Sequence, residues 1–326
     1  MVATPYATLY PTGQKMPIVG MGTWKLDTKE AADTIYQAVK NGYRQFDGAC
    51  DYGNEKECGD GLQRALKDGL VKREDVFITS KLWNTFHAKK DVMPICKKEL
   101  ADWGLDYFDL YLVHFPIALE YVDPKVRYPP GWMYDGKSDI RPVKVPFQET
   151  WQAMEELVDA GLVKAIGVSN MQGSLLLDLL RYARIPPSVL QVEHHPYLAQ
   201  EELVKLAQSQ KITVMAYSSF GPFSFRELDW KRANECPLLF EHKVITAIAK
   251  KHNRTAAEVL LRWSTQQGII VIPKATDPVL VKQNLEHIHF DLTKEELRAI
   301  TDLDQHMRFN NPADYFSEHK LLYLFA

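Results

Sequence analysis

The chain has 326 residues, of which 46% are hydrophobic and 25% charged, with a formal net charge of -3. That balance belongs to a globular protein with a substantial core and excludes a disordered chain. No block of like charge marks a nucleic-acid or anionic-membrane surface, and no apolar run approaches the roughly 18 residues of a membrane span.

Short β-branched runs alternate with longer segments of helical period. Ile18 to Gly22 reads as a strand, and Thr28 to Lys40 as a helix stopped by Asn41-Gly42. Arg44-Gln45-Phe46 is a short strand, followed by a helix over Glu55 to Lys67. Val76 to Ser80 is a strand, Asp91 to Trp103 a helix, and Leu110 to Val113 a continuously apolar strand of the kind buried on both faces. A Pro- and Tyr-rich excursion from Pro116 to Pro146 is too long for an ordinary connection, which makes it a functional candidate. The alternation resumes with a helix over Gln148 to Ala160, a strand over Ala165 to Val168 and a helix over Ser174 to Tyr182. Strands over Val189 to Val192 and Ile212 to Ala216 flank a helix over Glu201 to Ser209. A long connection over Ser218 to Pro237 leads to helices over Lys243 to Lys251 and Ala256 to Gln266, then a strand over Ile269 to Ile272. The last helix begins at the capping box Thr293-Lys294-Glu295-Glu296.

Alternating strands and helices imply a parallel sheet, because each parallel pair needs a crossover. Eight strand-like runs suit a closed (β/α)8 TIM barrel with long loops at its C-terminal rim, forming one domain over residues 1–326. A doubly wound open sheet fits the pattern too, but no G-x-G-x-x-G follows the first strand.

In such a barrel the active site lies at the C-terminal strand ends. Asp47, Lys81 and His114 end the second, third and fourth strands, one repeat apart, and Tyr52 follows in the loop after Asp47. Taken singly, a lysine there is a solvated rim residue and an aspartate a helix cap; four groups in phase with the repeat form a constellation. They suit carbonyl reduction, which needs a hydride and a proton. Tyrosine is a weak acid at neutral pH, and a neighbouring ammonium, Lys81 held by Asp47, is expected to lower its pKa. His114 can donate to the carbonyl oxygen.

Phe46-Asp47-Gly48-Ala49-Cys50-Asp51-Tyr52-Gly53-Asn54-Glu55, Ser80-Lys81-Leu82-Trp83, Leu112-Val113-His114-Phe115-Pro116 and Ile166-Gly167-Val168-Ser169-Asn170 resemble the motifs of the aldo-keto reductases. The likeness runs from about Leu9 to Asn311. Within that family, Gln191-Val192-Glu193-His194-His195-Pro196-Tyr197 and Tyr217-Ser218-Ser219-Phe220-Gly221-Pro222 are most similar to the fungal xylose (pentose) reductases. The resemblance implies a barrel that reduces aldehydes with NADP(H) or NAD(H), with catalytic roles on Asp47, Tyr52, Lys81 and His114. It implies that Ser169, Asn170 and Gln191 bind the nicotinamide carboxamide and that Tyr217 stacks on its ring. The loop from Ser218 to Phe225, with Ser219, Phe220, Pro222 and Ser224, is expected over the pyrophosphate. Glu227 is expected at the ribose, Lys274 at the 2'-phosphate, and Gln283 and Asn284 at the adenine, with Thr276 a further cofactor-binding residue.

The chain departs from its relatives after Lys274. Ala275 replaces a hydroxyl donor and Leu280 stands where an arginine is common, with Asp277 adding negative charge. Arginine makes bidentate phosphate contacts, so weakened preference for NADPH is expected. Lys282 is the nearest substitute cation in the sequence.

Trp24, Asp51, Trp83, His114, Phe115, Phe225 and Asn310 are the expected substrate pocket. Its polar members favour a hydroxylated substrate, an aldose such as D-xylose or L-arabinose. A general aldehyde or glycerol reductase, and a non-catalytic nicotinamide-binding subunit, are the alternatives. No metal is expected: adjacent residues on a strand point to opposite faces, which separates the members of Glu193-His194-His195. Trp103, Trp151 and Trp263 sit in helical patterns and read as core. Cys50, Cys58, Cys96 and Cys236 form no C-x-x-C pair and point to free thiols in a reducing, cytoplasmic compartment. Met1 to Pro5 does not read as a signal peptide, Asn253-Arg254-Thr255 reads as a chance glycosylation match, and a homodimer is a family-level expectation.

Overall fold

A computed structural model describes residues 5–316 together with 322, 324 and 325; of the N-terminal segment read above, Met1 to Thr4 lie outside the described residues. Ten strands are present among the described residues. β1 (Tyr6–Thr8) and β2 (Lys15–Pro17) form an antiparallel hairpin. The other eight, β3 (Met21–Gly22), β4 (Gln45–Asp47), β5 (Phe77–Leu82), β6 (Phe108–Val113), β7 (Val163–Ser169), β8 (Val189–Glu193), β9 (Thr213–Tyr217) and β10 (Ile270–Val271), are parallel and pair in sequence order. A parallel bridge from Val19 to Val271 joins the two ends, with Gly20 N–H donating to Val271 O at 2.8 Å. The sheet is therefore a closed barrel, and the open-sheet alternative is set aside.

The barrel interior is packed with Phe77, Leu110, Leu112, Ala165, Val189, Met215 and Ile270. Leu9 and Met16 from the hairpin join that cluster and plug the end opposite the long loops. Strand crowding requires glycine at Gly167, where a Cβ would meet Val189 O at 2.4 Å, and at Gly22, where it would meet Ile272 O at 2.7 Å. Strand and helix faces bury the larger outer core, which includes Phe46, Ile78, Trp103, Tyr111 and Trp151.

The helices are α1 (Thr28–Lys40), α2 (Glu55–Lys67), α3 (Lys89–Trp103), α4 (Phe147–Asp159), α5 (Gly173–Tyr182), α6 (Glu201–Ser209), α7 (Phe223–Arg226), α8 (Lys231–Glu235), α9 (Lys243–His252), α10 (Ala256–Thr265), α11 (Pro278–Glu286), α12 (Lys294–Thr301) and α13 (Pro312–Tyr315). Local chemistry sets their ends. Asp27 caps α1 by accepting from Lys29 N–H, and the predicted box at Thr293 and Glu296 closes the start of α12. Asn253 takes the left-handed conformation at the C-terminus of α9 and Thr255 caps α10, so two members of the apparent glycosylation sequon serve helix ends. The hairpin, α7, α8, α11 and α13 were not legible from periodicity, being short or, for α11, only weakly amphipathic.

The excursion over residues 116–146 holds a single bridge, Leu119 to Pro142, and otherwise folds as loop against the rim. Trp83 Nε1 donates to Gly131 O at 3.0 Å, and Trp132 packs edge-on against Trp83, ring centroids 5.2 Å apart. The excursion thus builds one wall over the C-terminal strand ends.

Candidate active site

A cavity of about 350 Å³ opens at those strand ends, lined by Trp24, Asp47, Tyr52, His114, Ser169, Tyr217 and Lys274 among others. Its floor is the group read from the repeat. Asp47 is the last residue of β4 and His114 follows β6, whereas Lys81 lies inside β5, one residue before its end. Lys81 is fully buried. Its ammonium donates to Asp47 Oδ1 at 2.5 Å, to Gly48 O at 2.8 Å and to Tyr52 Oη at 3.1 Å. All three donors are thereby used. Because Tyr52 Oη accepts from the lysine, its own hydrogen is left for a group in the cavity.

The electrostatics differ from the sequence expectation in one respect. Burial pushes the Tyr52 phenol well above its ordinary pKa, and Asp47, Asp51 and Glu55 add to the effect. The lowering expected from Lys81 is overcome by desolvation and three carboxylates. Burial also lowers the pKa of Lys81, against the pull of Asp47. His114 is pushed well below its usual range by burial and then by Lys81, which makes it a neutral imidazole. It meets the Tyr52 ring edge-on at 5.7 Å and stacks on Phe115 at 5.1 Å. The resting arrangement is a neutral phenol and a neutral imidazole converging on one point, with an ammonium behind the phenol.

Ser169, Asn170, Gln191 and Tyr217 border the same cavity. Asn170 adopts φ 57°, an unusual value for a non-glycine residue, and its side chain makes three hydrogen bonds that leave one acceptor site on Oδ1. Its Nδ2 donates to His114 O and Ser169 Oγ, and its Oδ1 accepts from Tyr217 Oη at 2.6 Å. Tyr217 Oη in turn accepts from Asn310 Nδ2 at 3.0 Å. The tyrosine hydroxyl is thus occupied, and its ring is held at the cavity wall. Gln191 Nε2 donates to Asp47 Oδ2 at 2.7 Å and to Met215 Sδ, which leaves Oε1 as its acceptor for a ligand.

At the far end, Lys25 Nζ lies 2.8 Å and Lys274 Nζ 3.8 Å from Glu227 Oε2. Lys25 also donates to Ser224 O, so the loop after β9 is tied across the cavity mouth to the loop after β3. Ser219 Oγ is buried beside the cavity without a hydrogen-bond partner among the described residues. An aromatic wall and amide groups at one end, with hydroxyls and two ammonium groups at the other, fit a nicotinamide dinucleotide.

Not every predicted contact reaches the cavity. Phe225 is fully buried beneath Trp24 and Trp230, with ring centroids 5.8 and 5.0 Å away, and supports the pocket wall from behind. Asn284 is buried and does not line the cavity, and neither do Gln283, Thr276 and Pro222. Thr276 borders a separate hollow with Lys29 and Asp33. Trp24, Asp51, Trp83, Phe115 and Asn310 do line it. Lys25, Trp132, Trp230 and Phe316 line it too and escaped sequence reasoning. The position of Lys25 after the first strand was the available signal for that residue. His194 stacks on Trp263 at 4.6 Å and His195 Nε2 lies 2.8 Å from Glu193, so the pair faces different neighbours.

Fold and cavity define a (β/α)8-barrel enzyme. The sequence profile of the Aldo/keto reductase family matches residues 18–305. The chain is 61% identical over 316 residues to the NAD(P)H-dependent D-xylose reductase of Hypocrea jecorina, covering 97% of each chain. It is 58% identical over 304 residues to that of Aspergillus niger, covering 93% of this chain and 95% of the relative. The NAD(P)H-dependent D-xylose reductase of Pyricularia oryzae is 56% identical over 310 residues, covering 95% and 96%. The chain belongs to the aldo/keto reductase family and is an oxidoreductase. Among the described residues no helix is long and apolar enough to cross a membrane.

Proposed function

We propose that the protein reduces an aldopentose, D-xylose or L-arabinose, to its alditol with NADPH or NADH. The observation that carries this reading is the donor geometry at Tyr52: Lys81 gives its third N–H to Tyr52 Oη at 3.1 Å, so the phenolic hydrogen faces the cavity beside His114. The relatives' names supply the substrate and the choice of cofactor. A bound nicotinamide supplies the hydride.

The chain's own residues do the rest. His114 and Tyr52 converge on the carbonyl oxygen and hold it by two hydrogen bonds. As negative charge develops on that oxygen, the phenolic proton moves to it, and the Lys81 ammonium stabilises the phenolate left on Tyr52. Asp47 keeps the ammonium aimed. Ser169, Asn170 and Gln191 would hold the carboxamide of a nicotinamide cofactor through a hydroxyl and amides, and Tyr217 would supply an aromatic surface for its ring. Lys25, Lys274, Ser218 and Ser219 would hold its phosphates, and Glu227 a ribose hydroxyl. Asp51 and Asn310 bind sugar hydroxyls, and Trp24, Trp83 and Phe115 cover the C–H faces. Four buried thiols support a reducing compartment, the cytoplasm.

The test is Tyr52→Phe, assayed for D-xylose reduction and for cofactor binding by quenching of tryptophan fluorescence. Turnover is expected to fall by at least about a hundredfold with cofactor affinity retained. Full turnover in that variant would remove Tyr52 as the donor.

A further inference from the structure

Glu193 has no part in the machinery just described, yet it is a fully buried carboxylate at the end of β8. Its Oε1 accepts from Phe309 N–H at 2.9 Å and lies 2.8 Å from His195 Nε2; its Oε2 accepts from Asn310 N–H at 2.8 Å. Two consecutive backbone donors of the C-terminal strap thus end on one side chain. The rest of the strap is tied to the same short stretch after β8. Tyr197 O accepts from Gln305 N–H at 3.2 Å and from Met307 N–H at 2.9 Å. Arg308 donates to Gln200 Oε1 at 2.9 Å, and Gln200 Nε2 donates back to Glu193 O. The Phe309 ring sits 5.4 Å from His195 and 5.8 Å from Phe225. What this latch presents to the cavity is Asn310, with Nδ2 at 3.0 Å from Tyr217 Oη.

We propose that Glu193 is a specificity-determining positioning residue: by binding the consecutive N–H groups of Phe309 and Asn310, it fixes Asn310 where a polyhydroxy aldehyde places its hydroxyls. The inference rests on the reading that Asn310 faces the sugar. A carboxylate is an acceptor on both oxygens and makes charge-assisted bonds, so both strap donors are satisfied at once. A glutamine in its place turns an N–H toward one of them. The strap meets the hydroxyl-bearing part of the substrate and leaves the carbonyl to Tyr52 and His114. Its displacement therefore weakens selection for hydroxylated substrates and spares the chemical step.

The experiment compares Glu193→Gln, Asn310→Ala and the double variant on D-xylose and on pentanal, which has five carbons and no hydroxyl. For Glu193→Gln, KM for D-xylose is expected to rise about tenfold, with kcat and KM for pentanal within about twofold of the parent. The double variant is expected to be no worse on D-xylose than Asn310→Ala. An equal loss on both substrates, or an unchanged KM for D-xylose, overturns the assignment. Should Glu193→Gln fail to fold, Glu193→Asp keeps the charge and retracts the acceptor, and the same split is expected. If Asn310→Ala does not separate the two substrates, the sugar-pocket reading falls; if it does and neither Glu193 variant follows, only the role of Glu193 falls.

Discussion

Gln191 and Asp47 are joined by a hydrogen bond of 2.7 Å, from Nε2 to Oδ2, across the floor of the cavity. The other oxygen of Asp47 holds Lys81. One carboxylate therefore fixes both the amide on the cofactor side and the ammonium on the proton side. Asp47→Asn removes the carboxylate that, among the described residues, is the one ion-pair partner of a buried ammonium that burial already disfavours. Breaking a buried pair from one side costs about 3–5 kcal/mol, and the lysine avoids part of that by losing its proton. A neutral amine cannot stabilise a phenolate at Tyr52. The expected result is a fall in kcat of at least about a hundredfold with a lowered Tm, measured by steady-state kinetics and calorimetry. Retained kcat would show that Asp47 does not govern the charge on Lys81.

Asp51 lines the cavity without an ion-pair partner among the described residues, and burial raises its carboxyl to about 8. At neutral pH it is a carboxylic acid. Its contribution to stability is full below the ordinary carboxylate range and is lost as pH rises through about 8. Above that point it becomes a carboxylate, which accepts stronger, charge-assisted bonds from sugar hydroxyls. KM for D-xylose is therefore expected to fall as pH passes 8. Asp51→Asn, which resembles the neutral acid, should match the parent at neutral pH and lack that fall. An identical KM profile in the two proteins would take Asp51 out of the substrate site.

Behind Lys81, Ser80 Oγ lies 2.5 Å from Glu55 Oε1 and 2.9 Å from Glu99 Oε2, all buried. One hydroxyl hydrogen cannot serve two carboxylates, so one of them carries a proton. Each carboxylate accepts from one further donor, Glu55 from Trp103 Nε1 at 2.9 Å and Glu99 from Tyr111 Oη at 3.1 Å, so the burial of each decides which is neutral. Burial raises Glu55 to about 7, against the hydrogen bonds from Ser80 and Trp103, and raises Glu99 well above the usual range with Glu55 adding to the effect, which marks Glu99 as the neutral member. Both pKa values are raised on folding, so the stability they contribute is full below the unfolded carboxylate range and is lost as pH rises. Glu99→Gln is expected to match the parent Tm near pH 5 and exceed it near pH 8.5, as read from thermal melts. A variant less stable than the parent by the same amount at both values would show that Glu99 acts through its shape alone.

Legibility in the sequence followed physical scale. Periodicity reported α1, α2 and α6 with their observed bounds, because amphipathic faces and sharp caps leave a strong local signal. The repeat of one ionisable residue per strand end groups Asp47, Lys81 and His114, and Tyr52 joins them from the loop five residues after Asp47. Three-residue hairpin strands and four-residue helices carry too few residues for a period, so β1, β2 and α7 stayed hidden. The net effect on Tyr52 was missed because desolvation depends on everything packed around the ring, which only tertiary structure assembles. Lys25, Trp132 and Phe225 were misplaced or overlooked for a related reason: which aromatic lines a cavity and which supports it from behind is settled by packing between loops.

The chemistry after β10 bears on cofactor choice. Lys274 ends the cavity beside Glu227, which already binds Lys25 more closely, 2.8 against 3.8 Å. Asp277 caps α11 by accepting from Val279 N–H, and Leu280 lies half-exposed in the first turn of that helix. Lys282 lies 3.8 Å from Glu286, both side chains being exposed along the same helix. A 2'-phosphate would meet Lys274 without an arginine fork, while Glu227 remains available to ribose hydroxyls of an unphosphorylated cofactor. Leu280→Arg adds a charge-assisted contact worth about 1.5–3 kcal/mol, a tenfold to hundredfold change. The ratio of kcat/KM for NADPH over NADH is expected to rise by about that factor, chiefly through KM for NADPH, with kcat for D-xylose unchanged. A parent enzyme already strict for NADPH, and unmoved by Leu280→Arg, would place phosphate recognition on Lys274 and Lys25 and remove the argument from Leu280.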